Sequence, residues 1–118
     1  MKSREELNTE LRQRILSLPG VTERQHAGIH EEAFFVGRTM FMHIHGHGHC
    51  DIRLPKREQE RVLAAGKAQT HRWAPEQGYV TFLVRDEQDF EPAMELIRVS
   101  HGFFAGARAA APTEHNRA

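Results

Sequence analysis

The sequence predicts an α+β domain of two layers, an antiparallel sheet with helices packed on one face. Three observations lead there. Helical and strand periodicities follow one another in the order helix, four strands, helix, one or two strands, helix. Residues 37–55 carry a β-hairpin signature, and a short tip can join only an antiparallel pair. Hydrophobic residues make up 39% of the 118, enough for one modest core and so for one domain.

Residues 3–18 read as an amphipathic helix. Ser3 and Glu6 match a capping box, and Leu7, Leu11, Ile15 and Leu18 recur at helical spacing before Pro19 and Gly20 end the run. Val21 to His26 is the first strand, with Thr22, Arg24 and His26 on one face. Glu32 to Val36 is the second, with Phe34 and Val36 on one side and Phe35 on the other. After the hairpin, Pro55 suits the first position of a polar second helix anchored by Val62 and Leu63, and Gly66 suits its left-handed cap. Lys67 to Trp73 reads as a short strand carrying His71. Tyr79 to Arg85 is a clear strand in which Val80, Phe82 and Val84 alternate with Tyr79, Thr81 and Leu83. Asp89 is placed to cap the last helix, whose apolar stripe is Phe90, Ala93, Met94, Ile97, His101 and Phe104. The domain is expected to span residues 1–106, with 107–118 a disordered tail.

The hairpin has a histidine at every second position from His43 to His49. A three-residue tip, Gly46-His47-Gly48, pairs His45 with His49, His43 with Asp51, Phe41 with Arg53, Ile44 with Cys50, Met42 with Ile52 and Met40 with Leu54. Glycine makes that tip flexible. The register yields one apolar face and one face carrying Thr39, Phe41, His43, His45, His49, Asp51 and Arg53. A slip of one residue would invert every side chain, so burial selects it.

Composition narrows the function classes. Sixteen basic residues balance sixteen acidic ones, so no broad field attracts nucleic acid. The single cysteine, Cys50, excludes an intramolecular disulfide and suits a reducing compartment. The first residues contain no apolar run of a secretory leader, and no stretch reaches the ~20 apolar residues of a membrane span. A cytoplasmic protein is expected.

The polar face of the hairpin is the functional lead. His43 and His45 project to one side ~6.5–7 Å apart along the strand, a geometry on which two imidazoles can share an ion. His26 or His71 would supply a third ligand, and His49 or Asp51 a fourth; zinc, nickel or iron(II) suit such ligands. Alternatively Asp51 orients His43 as a base. Nickel or zinc would also collect at the exposed His45, His47, His49 series without meaning. The spacing Gly37 to His43-x-His45 matches the opening of a cupin motif, but the following glutamate and the second motif are missing. No serine sits in a nucleophile elbow, and Cys50 falls on the apolar face, so nucleophilic catalysis is not expected. Arg24, Arg38, Arg53, Arg72 and Arg85 are interspersed with acids, and no phosphate-cradling glycine motif occurs. His101 reads as a satisfied boundary histidine.

Several short motifs occur in order: Leu18-Pro19-Gly20-Val21, His26, Phe35-x-Gly37, His43-x-His45, Asp51, Leu54-Pro55, Gly66-x-Ala68-x-x-His71, Pro75-x-x-Gly78-Tyr79-Val80 and Glu95-Leu96-Ile97-Arg98. Together they resemble the small bacterial luciferase-like domain family over about residues 16–104. The layout is also similar to the MmcQ/YjbR-like fold, a sheet with helices on one side, some of whose members have been suggested to bind DNA. The resemblance places family positions on His26, His43, His45, Asp51 and His71. Tyr79 stands where a tryptophan is usual and His101 where an aromatic is usual, while His47 and His49 are extra. The family name does not itself imply a luciferase reaction.

The resulting expectation is a histidine-lined groove on one sheet face that binds a small polar or anionic molecule through His26, His43, His45, Asp51, His71 and Tyr79. Two alternatives stay open. One is a metal-dependent enzyme whose divalent zinc, nickel or iron is held by His43, His45, His26 and His71. The other is a nucleic-acid or protein interaction module. Nucleic acid and membrane are not expected partners; a dimer is compatible with the sequence.

Overall fold

The computed structural model describes residues 2–25, 31–70 and 78–117. Ser3 starts the first helix as expected: its hydroxyl accepts from the Glu6 amide at 3.1 Å, and the Glu6 carboxylate accepts from the Ser3 amide at 2.8 Å. That reciprocal bond holds the Glu6 carboxyl below its usual range. The helix, α1, runs Arg4–Leu16 and buries Leu7, Leu11 and Ile15. The strands β1 (Val21–Gln25), β2 (Glu31–Val36), β3 (Thr39–His45) and β4 (His49–Arg53) follow. Then come α2 (Lys56–Ala64), β5 (Gln69–Thr70), β6 (Tyr79–Leu83) and α3 (Phe90–Arg117).

Among the described residues the strands form one six-stranded sheet in the order β1-β2-β3-β4-β6-β5, with every neighbouring pair antiparallel. The α+β expectation holds. One hydrophobic cluster joins Leu11 and Ile15 of α1, Val62 of α2 and Met94 and Ile97 of α3 to Phe34, Met42, Ile52 and Val80 of the sheet. All three helices therefore press on the same side of the strands, and α3 lies against β2, β3 and β4.

The hairpin register agrees with the sequence from the tip as far as Met42↔Ile52, through His45↔His49, Ile44↔Cys50 and His43↔Asp51. Beyond that it departs. β3 carries a bulge against β2, where Phe34 faces Met42 and Phe35 faces Met40, leaving Phe41 as the extra residue. The bulge turns Phe41 away from the histidine face and into the core, where it is fully buried. There the Ser100 hydroxyl donates to the Phe41 carbonyl at 3.1 Å, and the His101 ring meets Phe41 edge-on at 5.7 Å. The pairs Phe41 with Arg53 and Met40 with Leu54 do not form. A bulge offsets the alternation by one residue, which a strict period of two cannot anticipate.

The glycine tip also differs from the flexible loop expected. Gly46–Gly48 forms a 3-10 turn docked on the domain. Val84 donates its amide to the Gly48 carbonyl at 2.9 Å, and Arg4 Nη1 donates to the Val84 carbonyl at 2.8 Å. Gly48 has φ +79°, and a Cβ there would run into the Val84 carbonyl oxygen. Glycine is required here for close approach as well as for backbone freedom.

Smaller corrections concern the helix ends. Pro55 is the residue before α2 rather than its first. Gly66, at φ +71°, closes α2 as expected: its amide bonds Leu63 and the Lys67 amide bonds Val62. Asp86, not Asp89, caps the 3-10 turn Glu87–Asp89 that leads into α3, while Asp89 reaches back to the amides of Arg85 and Asp86 at 2.7 and 3.2 Å. The α3 stripe includes Leu96 and Ser100 besides the residues expected. The backbone of α3 continues past Gly106 through the stretch read as a tail, whose side chains lie outside the described residues, and the packing of α3 on the core extends to Ala105. No described helix is long and apolar enough to cross a membrane.

Candidate functional site

Directly opposed residues of antiparallel strands share a face. The rows of the sheet therefore decide what meets what. One row runs Arg24, Ala33, His43, Asp51, Thr81, Gln69 across the strands. The flanking row on the same face contains His45, His49 and Leu83, and Tyr79 pairs with Arg53 on the other side. This face is opposite the one that carries Phe34, Met42, Ile52 and Val80.

Asp51 is the centre of that arrangement and is only 3% exposed. Its Oδ1 accepts a hydrogen bond from the Thr81 hydroxyl at 2.7 Å. Its Oδ2 lies 3.0 Å from His45 Nε2 and 3.7 Å from His43 Nε2. The two imidazoles stand edge-to-face with centroids 4.9 Å apart, and the Tyr79 ring meets His43 edge-on at 5.2 Å. His43 is buried and His45 half-buried, its side chain 30% exposed. The carboxylate is thus a floor with one oxygen tied down by Thr81, and the other faces two imidazoles, of which His45 is the more exposed. One donor atom from each of His43, His45 and Asp51 can be chosen so that all lie within 4.8 Å of one another. Among the described residues this is the one such group of three.

The neighbour of Asp51 in the chain behaves differently. Cys50 lies on the apolar side, and its thiol is pushed up to about 12, first by burial and then by the Asp51 charge. A thiol protonated throughout the neutral range is no nucleophile, as the sequence implied. The expected satisfaction of His101 is also seen, its Nε2 meeting the Pro19 carbonyl at 2.7 Å.

Of the residues singled out in the sequence, the structure brings together His43, His45, Asp51 and Tyr79. His26 and His71 lie outside the described residues, as does Trp73. His49 is exposed, with Nδ1 3.2 Å from the Gly46 carbonyl, and is not in the close group. Arg53, assigned to the polar face, has its guanidinium over the Phe104 ring at 4.7 Å. The residue missed was Thr81. Its alternation with Val80 and Phe82 put it on the right face of its strand. That β6 lies beside β4, across α2 and β5, has no local signal.

The Luciferase domain family matches residues 38–100, a little over half of the chain. The chain belongs to the Luciferase domain family. No curated protein and no solved structure matches it. The matched segment of the Luciferase domain runs from the start of the hairpin to the middle of α3. It therefore holds all of His43, His45, Asp51, Tyr79 and Thr81 and leaves His26 outside. The match is narrower than the resemblance over about residues 16–104 drawn from the short motifs.

Proposed function

We propose that this Luciferase domain binds a small polar molecule over His43 and His45, with Asp51 orienting the imidazoles from below. The observation that carries the reading is a carboxylate almost wholly removed from water yet bonded to Thr81 and beside two imidazoles. Burying a charge is costly unless it is hydrogen-bonded, so such a group persists where it is held for a purpose or locked in a network. Here the network reaches the surface at His45, whose side chain is 30% exposed. An imidazole that donates one ring N–H to a carboxylate has its other nitrogen as a proton acceptor, the arrangement of a general base. The pair can therefore orient a ligand hydroxyl or amine and accept a proton from it.

The charge of the site selects among ligands. With both imidazoles neutral, the Asp51 carboxylate favours hydrogen-bond donors and cations. An anion would require protonated histidine or a bound cation. A nucleic-acid module has less support: Arg12, Arg14, Arg61 and Arg98 are engaged by Glu23, Glu10, Glu58 and Glu91 respectively, and Arg24 is stacked on Phe35.

The test is an NMR fragment screen with polar amines, alcohols and carboxylates on the full chain. Shift changes should centre on His43, His45, Asp51 and Thr81 and disappear in His45→Ala. Perturbations confined to the cleft beside α1, lined by Arg4, Asn8, Arg12, Glu23 and Glu32, would overturn the reading.

A further inference from the structure

We propose that His43, His45 and Asp51 form a binding site for a divalent first-row transition ion. The ligands are Asp51 Oδ2 and one ring nitrogen from each histidine. The inference goes beyond the binding reading: it uses the same residues but does not require that any organic ligand be found.

Four features support it. The first is the donor set. Two imidazoles and one carboxylate suit zinc, iron(II), nickel and cobalt, and in the two-histidine, one-carboxylate arrangement further positions remain open to water or a small molecule. The second is distance. Ligands ~2.0–2.2 Å from a common ion are separated by ~3.0 Å at right angles and ~3.4 Å at the tetrahedral angle. The two imidazole nitrogens lie 3.0 and 3.7 Å from the same carboxylate oxygen. His45 already stands at such a separation from the carboxylate oxygen, and His43 lies a few tenths of an ångström beyond it. One donor atom from each of the three residues falls within 4.8 Å of the others, so the two imidazoles close in on each other when an ion binds.

The third feature is support. His43 and Asp51 are a directly paired couple on β3 and β4, so the sheet register itself sets their spacing. The Thr81 hydroxyl on β6 holds the other carboxylate oxygen at 2.7 Å, leaving Oδ2 to face the imidazoles. Partners of this kind orient ligating carboxylates and raise affinity. The fourth is charge. The carboxylate with two neutral imidazoles carries one negative charge, and a divalent ion reverses its sign. A site that repels anions would then attract them, which would bring anionic molecules into the range of ligands.

Thr81 is a positioning residue in this scheme. Cys50, though adjacent to Asp51 in sequence, is buried on the opposite face and does not ligate.

The experiment uses the untagged full chain after chelator treatment, titrated with zinc by calorimetry and with cobalt(II) by visible absorption. One ion per chain is expected. The cobalt spectrum should lack the intense near-ultraviolet charge-transfer band of a thiolate ligand. His45→Gln and Asp51→Asn should each weaken binding at least tenfold. Thr81→Val should weaken it about tenfold and Thr81→Ser restore it, which a purely structural role for the methyl would not produce. Should Asp51→Asn fail to fold, by circular dichroism, His45→Gln decides, because His45 is half-exposed. The double variant His47→Ser, His49→Ser should bind as the parent does. Binding lost in that double variant and retained in His45→Gln means an adventitious ion at the hairpin tip only, and overturns the proposal. So does the absence of one-to-one binding by either ion up to millimolar concentration. Polar fragments could still bind in that case, so failure here is distinguishable from failure of the binding reading.

Discussion

The two faces of the β3–β4 hairpin are one residue apart in sequence and opposite in chemistry. On one, Ile44 pairs with Cys50 and Met42 with Ile52, under three helices. On the other, His43 pairs with Asp51, and the partners of the carboxylate come from β3 and β6. Both Cys50 and Asp51 are buried, at 0% and 3% exposure. Burial silences the thiol: desolvation first and then the Asp51 charge disfavour its charged form and outweigh the opposing Arg4 charge. The Sγ–H donates to the Gly48 carbonyl at 3.8 Å. The carboxylate sits at the same depth with a hydroxyl and an imidazole within hydrogen-bonding distance. What separates the two buried positions is therefore the kind of partner each sheet face supplies: apolar packing and one carbonyl around Cys50, a hydroxyl and imidazoles around Asp51.

Three measurements would break or sharpen this contrast. The largest effect belongs to the apolar face. Phe34→Ala should cost about 3–5 kcal/mol in denaturant unfolding, because Phe34 is fully buried beneath the helices. A loss below about 1 kcal/mol would mean that this face is loosely packed. Next is the polar face: Thr81→Val keeps the shape of the side chain and removes the hydroxyl from Asp51, and should cost about 1–3 kcal/mol. A neutral result would show that Asp51 does not depend on Thr81.

The smallest effect is a difference in alkaline stability. The Cys50 thiol titrates near 9.0 when unperturbed and near 12 in the folded chain. As the pH rises above 9.0 the unfolded chain loses this proton first, so the folded state is disfavoured until the pH passes about 12. The contribution is fully present below the unfolded value and declines by at most about 1.4 kcal/mol per pH unit within that window. Cys50→Ala should therefore lose less stability than the parent between pH 9 and 10, whatever its stability at pH 7. Parallel curves for the two proteins would place the thiol in contact with water.

Much of this was legible before any coordinates. The capping box of Ser3 and Glu6, the alternation in β2 and β6, the three-residue tip and the left-handed Gly66 all act within a few residues of themselves. The hairpin register is local too, and so His43 and Asp51 could be paired by counting. Three features were not legible. The β3 bulge that sends Phe41 into the core depends on β2 lying alongside and on Ser100 of α3 meeting the Phe41 carbonyl. The docking of Gly48 depends on Val84 and Arg4, both remote in sequence. The neighbour of Asp51 across the sheet, Thr81, depends on β6 bypassing β5 to pair with β4.

The sequence by itself determined the element order, the division of the hairpin into an apolar and a histidine face, and the pairing of one imidazole with one carboxylate. Those are consequences of side-chain period and turn length, which act over short stretches of chain. Only the tertiary structure decided that both imidazoles converge on a single oxygen of Asp51 and that a threonine thirty residues away takes the other. Such contacts are selected by the packing of the whole sheet, because the free energy that sets the strand order comes from burying the opposite face.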